Sequence, residues 1–273
     1  MAAETDGFPW AVRGSLGLYF QERGRFPVKV WGMTDIGLVR KDNQDAYGIE
    51  ERTDCGHTVC VVCDGMGGAA GGRLASTIAV NTYLQELKRV LTPEMTPEQL
   101  REASSYAVSL ANRAIREEAA RSEECRNMGT TLVAAISCGA DAVVVSNVGD
   151  SRAYRVTQDG ITRITKDHSL VESMVDRGDI TEEEARRHPN RNLITRALGP
   201  DANPICDGYI TPLLPGESIL LCTDGLVDTV TDQEMLFEVV HGQSMDTCLQ
   251  RLLDIARSHG APDNVTAVLM RQE

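Results

Sequence analysis

Four aspartates spread from residue 64 to residue 263 each sit at the border of an apolar, strand-like run. In Val61-Val62-Cys63-Asp64, Val148-Gly149-Asp150 and Leu220-Leu221-Cys222-Thr223-Asp224 the run ends on the carboxylate; in Asp263-Asn264-Val265-Thr266 it begins just after. A fold that gathers these borders at one end must place four like charges together. Close carboxylates raise one another's pKa sharply unless a cation neutralises them. An all-oxygen donor set with no nearby Cys or His group suits Mg²⁺ or Mn²⁺ rather than Zn²⁺. The chain therefore reads first as a metal-dependent enzyme.

Composition narrows this further. The 273 residues, 42% of them hydrophobic, suffice for one large domain or two small ones. A formal net charge of −13 disfavours nucleic acid and anionic membranes. It also repels phosphorylated substrates at long range, so a phosphate site needs local positive charge. No run approaches the roughly 18–20 apolar residues of a membrane span. The acidic start, Met1-Ala2-Ala3-Glu4-Thr5-Asp6, is unlike a secretory signal. Most of the eight cysteines lie in apolar runs, where a free thiol behaves as a small hydrophobe. Cys60 and Cys63 have C-x-x-C spacing, but residues three apart in a strand face opposite ways and cannot clamp one metal. Reduced thiols in a cytoplasmic protein are the simpler expectation.

Residues 1–27 carry scattered aromatics (Phe8, Trp10, Tyr19, Phe20) without a period and are expected to be an extension, either a tail, an arm or an edge strand. From Val28 the pattern predicts strands at 28–33, 46–50 and 57–64. A glycine-rich break follows at 67–72, then a helix over 73–91. Thr96-Pro97-Glu98-Gln99 has the form of a capped helix start, with the helix running to about residue 121. Strands follow at 130–136, 142–147, 152–157 and 161–164, with Asp159-Gly160 as a hairpin turn. Two short helices, 169–178 and 181–187, are inserted before strands at 193–197, 206–211 and 218–222. Asp207-Gly208 reads as a turn or loop. Helices over 232–240 and 245–259 precede a closing strand, 264–270. Without βαβα alternation the class is α+β with antiparallel sheets.

At this point an ordered set of motifs resembles a known family. The segments are Thr34 to Asp45, which contains Arg40, Asp64-Gly65-Met66-Gly67-Gly68, Met128-Gly129-Thr130-Thr131, Gly149-Asp150-Ser151-Arg152, Thr165-Lys166-Asp167-His168, Cys222-Thr223-Asp224-Gly225 and Pro262-Asp263-Asn264-Val265-Thr266. Together they resemble the metal-dependent serine/threonine protein phosphatases of the PP2C (PPM) family, most closely its bacterial branch, over residues 28–273. The resemblance implies a central β-sandwich of two antiparallel sheets flanked by helix pairs, with a flap at about 165–190. It implies that Asp64 bridges two metals, that the Gly65 carbonyl helps hold the second, and that Asp224 and Asp263 complete the first. Asp150 with Asp224 would hold a weaker third ion. Asp45 would orient the attacking water, with Gln44 and Asn264 supporting the ligands from behind, and Arg40 would grip the substrate phosphate. The implied chemistry is hydrolysis of phosphoserine and phosphothreonine by water shared between two Mn²⁺ or Mg²⁺ ions, opposing a bacterial Ser/Thr kinase, in a cytoplasmic monomer.

Residue chemistry agrees with these roles. Two divalent ions can lower the pKa of a shared water and aim it at phosphorus, and an arginine can fork onto two phosphate oxygens. Lys41 is expected to be a solvated surface charge. Two positions depart from the family pattern. Gln44 stands where many members carry Glu, and Met66 and Ala69 stand where animal or bacterial members carry His, so no obvious side-chain acid remains for the leaving group. His168 is the nearest motif histidine, with a structural role expected. Two other readings are a silent phosphoprotein-binding domain and a two-metal nuclease. The retained aspartates argue against the first, and the missing basic stripe against the second.

Overall fold

A computed structural model of the chain describes residues 28–52, 55–139 and 141–273. The extension at residues 1–27, with its aromatic side chains, lies outside them. Two five-stranded antiparallel sheets stack face to face. The first runs in the order β1 (Val28–Asp35), β12 (Val265–Gln272), β11 (Ser218–Cys222), β8 (Arg152–Thr157), β9 (Gly160–Arg163). The second runs β10 (Asp207–Pro212), β7 (Ala142–Val148), β6 (Leu132–Cys138), β3 (His57–Cys63), β2 (Ala46–Arg52). Helices α1 (Gly68–Val90) and α2 (Pro97–Ala119) cover the second sheet, and α6 (Asp232–His241) and α7 (Met245–Ser258) cover the first. The two-sheet, helix-flanked expectation is met.

The central strands read as continuous apolar runs because both their faces are covered. Along β3, Val59, Val61 and Cys63 pack against α1 and α2, while Cys60 and Val62 enter the layer between the sheets. Cys60 and Cys63 thus lie in different layers, as their spacing predicted. Val143, Val145, Leu221, Val268 and Met270 fill the same inter-sheet layer from β7, β11 and β12. Thr96 forms the expected capping box with Gln99.

Three expectations need correction. The glycine run does not break the chain; α1 begins at Gly68, five residues earlier than the pattern predicted. Glycine is required here for close approach: a Cβ on Gly65 would lie 2.1 Å from the Gly72 carbonyl oxygen, and one on Gly72 would lie 2.4 Å from Gln44 Oε1. Residues 193–197 form no strand; an isolated bridge from Ser169 to Ile194, with another just beyond from Thr130 to Leu198, replaces a ladder there. Asp207-Gly208 is not a turn but the start of β10, paired with Asn147 and Ser146, because the Asp207 carboxylate is held by His168 and Arg196. The 169–178 and 181–187 helices are present as α3 (Leu170–Asp176) and α4 (Glu182–Arg186), capped by Ser169 and Thr181.

The inter-sheet layer yields a direct test. Leu221→Ala removes a fully buried side chain between the sheets and is expected to cost about 2–5 kcal/mol in urea unfolding. A loss below about 1 kcal/mol would mean that this layer does not hold the sheets together.

Candidate active site

Antiparallel pairing explains why the aspartates meet. β3 and β7 both pair antiparallel with β6, so they run the same way and end at the same edge. β11 and β12 are antiparallel neighbours, which sets the end of one beside the start of the other. Asp64 follows β3, Asp150 follows β7, Asp224 opens the short helix α5 (Asp224–Val227) after β11, and Asp263 precedes β12. All four line one cleft of ≈ 510 Å³, with Arg40 and Gln44 on its wall.

The segments that carry these carboxylates are held by their own surroundings. The Asp64 backbone N–H donates to Thr131 Oγ1 at 2.9 Å, and the Asp64 carbonyl accepts from Thr131 N and Thr130 Oγ1. Asp150 sits in a turn braced by His168, whose Nδ1 accepts from Gly149 N at 3.0 Å and whose N–H donates to Gly149 O at 2.9 Å. His168 Nε2 in turn lies 3.1 Å from Asp207 Oδ2. This is the structural role expected for His168. Asp263 accepts from Asn264 N at 2.8 Å and from Arg40 Nη2 at 2.6 Å. Asn264 also lines the cleft, accepting from Gln44 N and donating to the carbonyls of Ile36 and Asp42. A Cβ on Gly225 would lie 2.0 Å from the Asn264 carbonyl oxygen, so only glycine lets α5 close onto the Asp263 loop.

Asp45 lies behind this row. Its Oδ2 accepts from Thr266 Oγ1 at 2.6 Å and Thr223 Oγ1 at 2.9 Å. Its Oδ1 is buried without a partner, as is Asp224 Oδ1. Such orphaned acceptors are costly unless something electropositive meets them.

The electrostatics point the same way. Burial, with Asp45, Asp224, Asp150 and Asp263 nearby, drives the Asp64 carboxyl well above its ordinary range. Burial and Asp224 raise Asp150 to about 8. Burial raises Asp45 to about 7 against the pull of the Thr266 and Thr223 hydroxyls. Burial and Asp263 raise Asp224 to about 6. Among the described residues no three His, Cys, Asp or Glu side chains stand close enough together to hold a metal ion by themselves. An open row of carboxylates suits Mg²⁺ or Mn²⁺, which keep several waters and use few protein ligands.

The cleft also holds residues that the motifs left unassigned. Thr131, Asn192 and Ile194 line it. The last two fall just beyond the expected flap boundary, and no motif marks them; Thr131 stood in a quoted motif without a role. Lys41 is exposed as expected, yet it also lines the cleft. Arg191, whose Nε lies 3.7 Å from Asp228 Oδ2, pairs the stretch after α4 with the residue that follows α5.

Comparison with known proteins agrees with this geometry. The family model described as protein phosphatase 2C matches residues 40–270. The serine/threonine phosphatase stp of Listeria innocua is 34% identical over 239 residues, covering 88% of this chain and 94% of that protein. The crystal structure of the serine/threonine phosphatase Stp1 from Staphylococcus aureus matches with a TM-score of 0.83 at 33% identity, over 90% of this chain and 96% of that one. The catalytic domain of the phosphatase PstP, solved in complex with two manganese ions, matches with a TM-score of 0.75 at 32% identity, over 89% and 97%. The motifs, the sandwich and the carboxylate cleft therefore have one source: the chain belongs to the protein phosphatase 2C family and is a bacterial-type, metal-dependent serine/threonine phosphatase.

Proposed function

We propose that Asp64, Asp224, Asp263 and the Gly65 carbonyl hold two Mn²⁺ or Mg²⁺ ions in this cleft, and that Asp150 with Asp224 holds a weaker third. The observation that carries this reading is the convergence of four carboxylates on a single cleft, with a buried, unpartnered oxygen on Asp224. When bound, paired divalent ions supply Lewis acidity and lower the pKa of the attacking water.

The chain's own groups do the rest. Arg40 presents a half-exposed guanidinium with only Nη2 committed, to Asp263, so its other donors can fork onto phosphate oxygens. Asp45 Oδ1 accepts a hydrogen from the attacking water, the role its free lone pairs fit. Gln44 and Asn264 hold the loops that carry Asp45 and Asp263. Asp150, which lines the cleft with Asn192 and Ile194, would serve protonation of the leaving serine or threonine oxygen. The substrates are phosphoproteins marked by a cognate Ser/Thr kinase. No helix among the described residues is long and apolar enough to cross a membrane; action in the cytoplasm, as a monomer, is part of the same proposal.

Repulsion in the cleft fixes a pH dependence. Asp45, Asp150 and Asp224 bind protons more tightly folded, at about 7, 8 and 6, than unfolded, near 3.8. Their contribution to stability is full below the unfolded pKa and is lost as pH rises through the folded values. With EDTA present, the melting temperature should therefore fall between about pH 5 and pH 8, and Mn²⁺ should abolish the fall. Asp224→Asn removes one buried charge and should raise the EDTA melting temperature at pH 8 by about 2 °C or more. The same variant should lose at least ~100-fold in turnover. A variant that is both less stable in EDTA at pH 8 and still active would contradict the metal-site reading.

Asp150→Ala separates the leaving-group role from water attack. Departure from serine or threonine needs a proton, whereas an aryl oxide leaves unaided. The variant should lose about 10²-fold or more on a phosphothreonine peptide, and far less on an aryl phosphate. Equal losses on the two substrates would remove Asp150 from that role.

A further inference from the structure

The surroundings of Asp45 form a closed ring of hydrogen bonds that begins and ends on the same residue. The Asp45 backbone N–H donates to Asn43 Oδ1 at 3.1 Å. Asn43 Nδ2 donates to Thr34 Oγ1 at 2.9 Å. Thr34 Oγ1 and Thr266 Oγ1 lie 2.7 Å apart, and Thr266 Oγ1 reaches Asp45 Oδ2 at 2.6 Å. A hydroxyl has one proton to give. If Thr266 gives its proton to the carboxylate, Thr34 must give its own to Thr266, and Thr34 can do so because it accepts from Asn43. Every proton in the ring then has one direction.

A second arm closes on the same oxygen. Thr223 Oγ1 donates to Asp45 Oδ2 at 2.9 Å and accepts from Thr266 N at 3.0 Å, so its orientation is also set. Both Thr223 and Thr266 are fully buried. Oδ2 therefore receives two donors from fixed hydroxyls, while Oδ1 receives none among the described residues. A carboxylate held by one oxygen presents the other in a single orientation.

We infer that Thr266, with Thr34 and Asn43 feeding it and Thr223 opposite, is a positioning group that commits Asp45 Oδ2 as an acceptor and aims Oδ1 at the attacking water. The inference rests on the reading of Asp45 given above. It differs from a packing role for these residues because it depends on the hydroxyl proton rather than on side-chain volume.

Thr266→Val keeps the volume and removes the proton. Groups that orient ligands from behind are commonly worth about 10–100-fold in metal affinity or activity. Thr266→Val should lower kcat on a phosphothreonine peptide and on an aryl phosphate alike by that factor, with KM for the peptide unchanged, and should weaken Mn²⁺ binding in calorimetry. Thr266→Ser restores the hydroxyl and should return both quantities to within about threefold of wild type. Wild-type kcat and Mn²⁺ affinity in Thr266→Val, or a Ser variant as defective as the Val variant, overturns the inference. If Thr266→Val does not fold, Thr34→Val at an exposed strand position decides: a loss of about fivefold in kcat at constant KM is expected, and no loss overturns it. Asp45→Asn separates the two levels of argument. If that variant is fully active, Asp45 does not serve the water and the site reading itself fails; if it is inactive while the threonine variants are normal, only the ring fails.

Discussion

Mutual repulsion among buried carboxylates organises one end of this molecule. Five aspartates, Asp45, Asp64, Asp150, Asp224 and Asp263, meet where two antiparallel sheets bring strand ends together. Four of them are pushed upward in pKa, with burial as the largest cause in each. A core built only for stability would not collect these charges, since removing one would relieve the others. The proposed metal site accounts for the arrangement as a socket whose repulsion bound cations would cancel.

The rest of the site keeps this socket in shape with neutral or singly charged donors. Backbone N–H groups, the hydroxyls of Thr131, Thr223 and Thr266, and the amides of Gln44 and Asn264 hold the loops without offsetting the negative field. The cation bonded to one of the four cleft-lining carboxylates is Arg40, on Asp263 at the rim. Stronger ion pairs lie one step out. Arg152 forks onto Asp167, which also binds Arg163, and these brace the strand leaving Asp150 against the segment entering α3. The segment entering α3 is thereby tied to the strand that leaves the Asp150 turn.

Much of this was legible in the sequence because the relevant signals are local. Apolar runs ending on Asp64, Asp150 and Asp224 report strands covered on both faces and terminating at a polar site. The capping box at Thr96 and Gln99 fixed a helix start to the residue. What stayed hidden depends on contacts between distant segments. The glycine run at 67–72 reads as a chain break, yet Gly72 serves a close approach of a helix to Gly65 at a strand end. Asp207-Gly208 has the composition of a turn, but its pairing is decided by β7 and its side chain by His168. The stretch at 193–197 is apolar enough for a strand and is instead held by single bridges beside the cleft. Thr34, Thr223 and Thr266 lie up to 232 residues apart, and nothing short of the register between β1, β11 and β12 brings their hydroxyls to Asp45.

The central claim is that the carboxylate row is a two-ion socket with Asp64 at its middle. Anomalous diffraction from crystals grown with Mn²⁺ addresses it without recourse to activity. Two ions about 3.5–4 Å apart are expected, each with an Asp64 carboxylate oxygen within about 2.5 Å, and Asp224 and Asp263 on the first of them. A single ion, or a pair of which neither touches Asp64, would contradict the account.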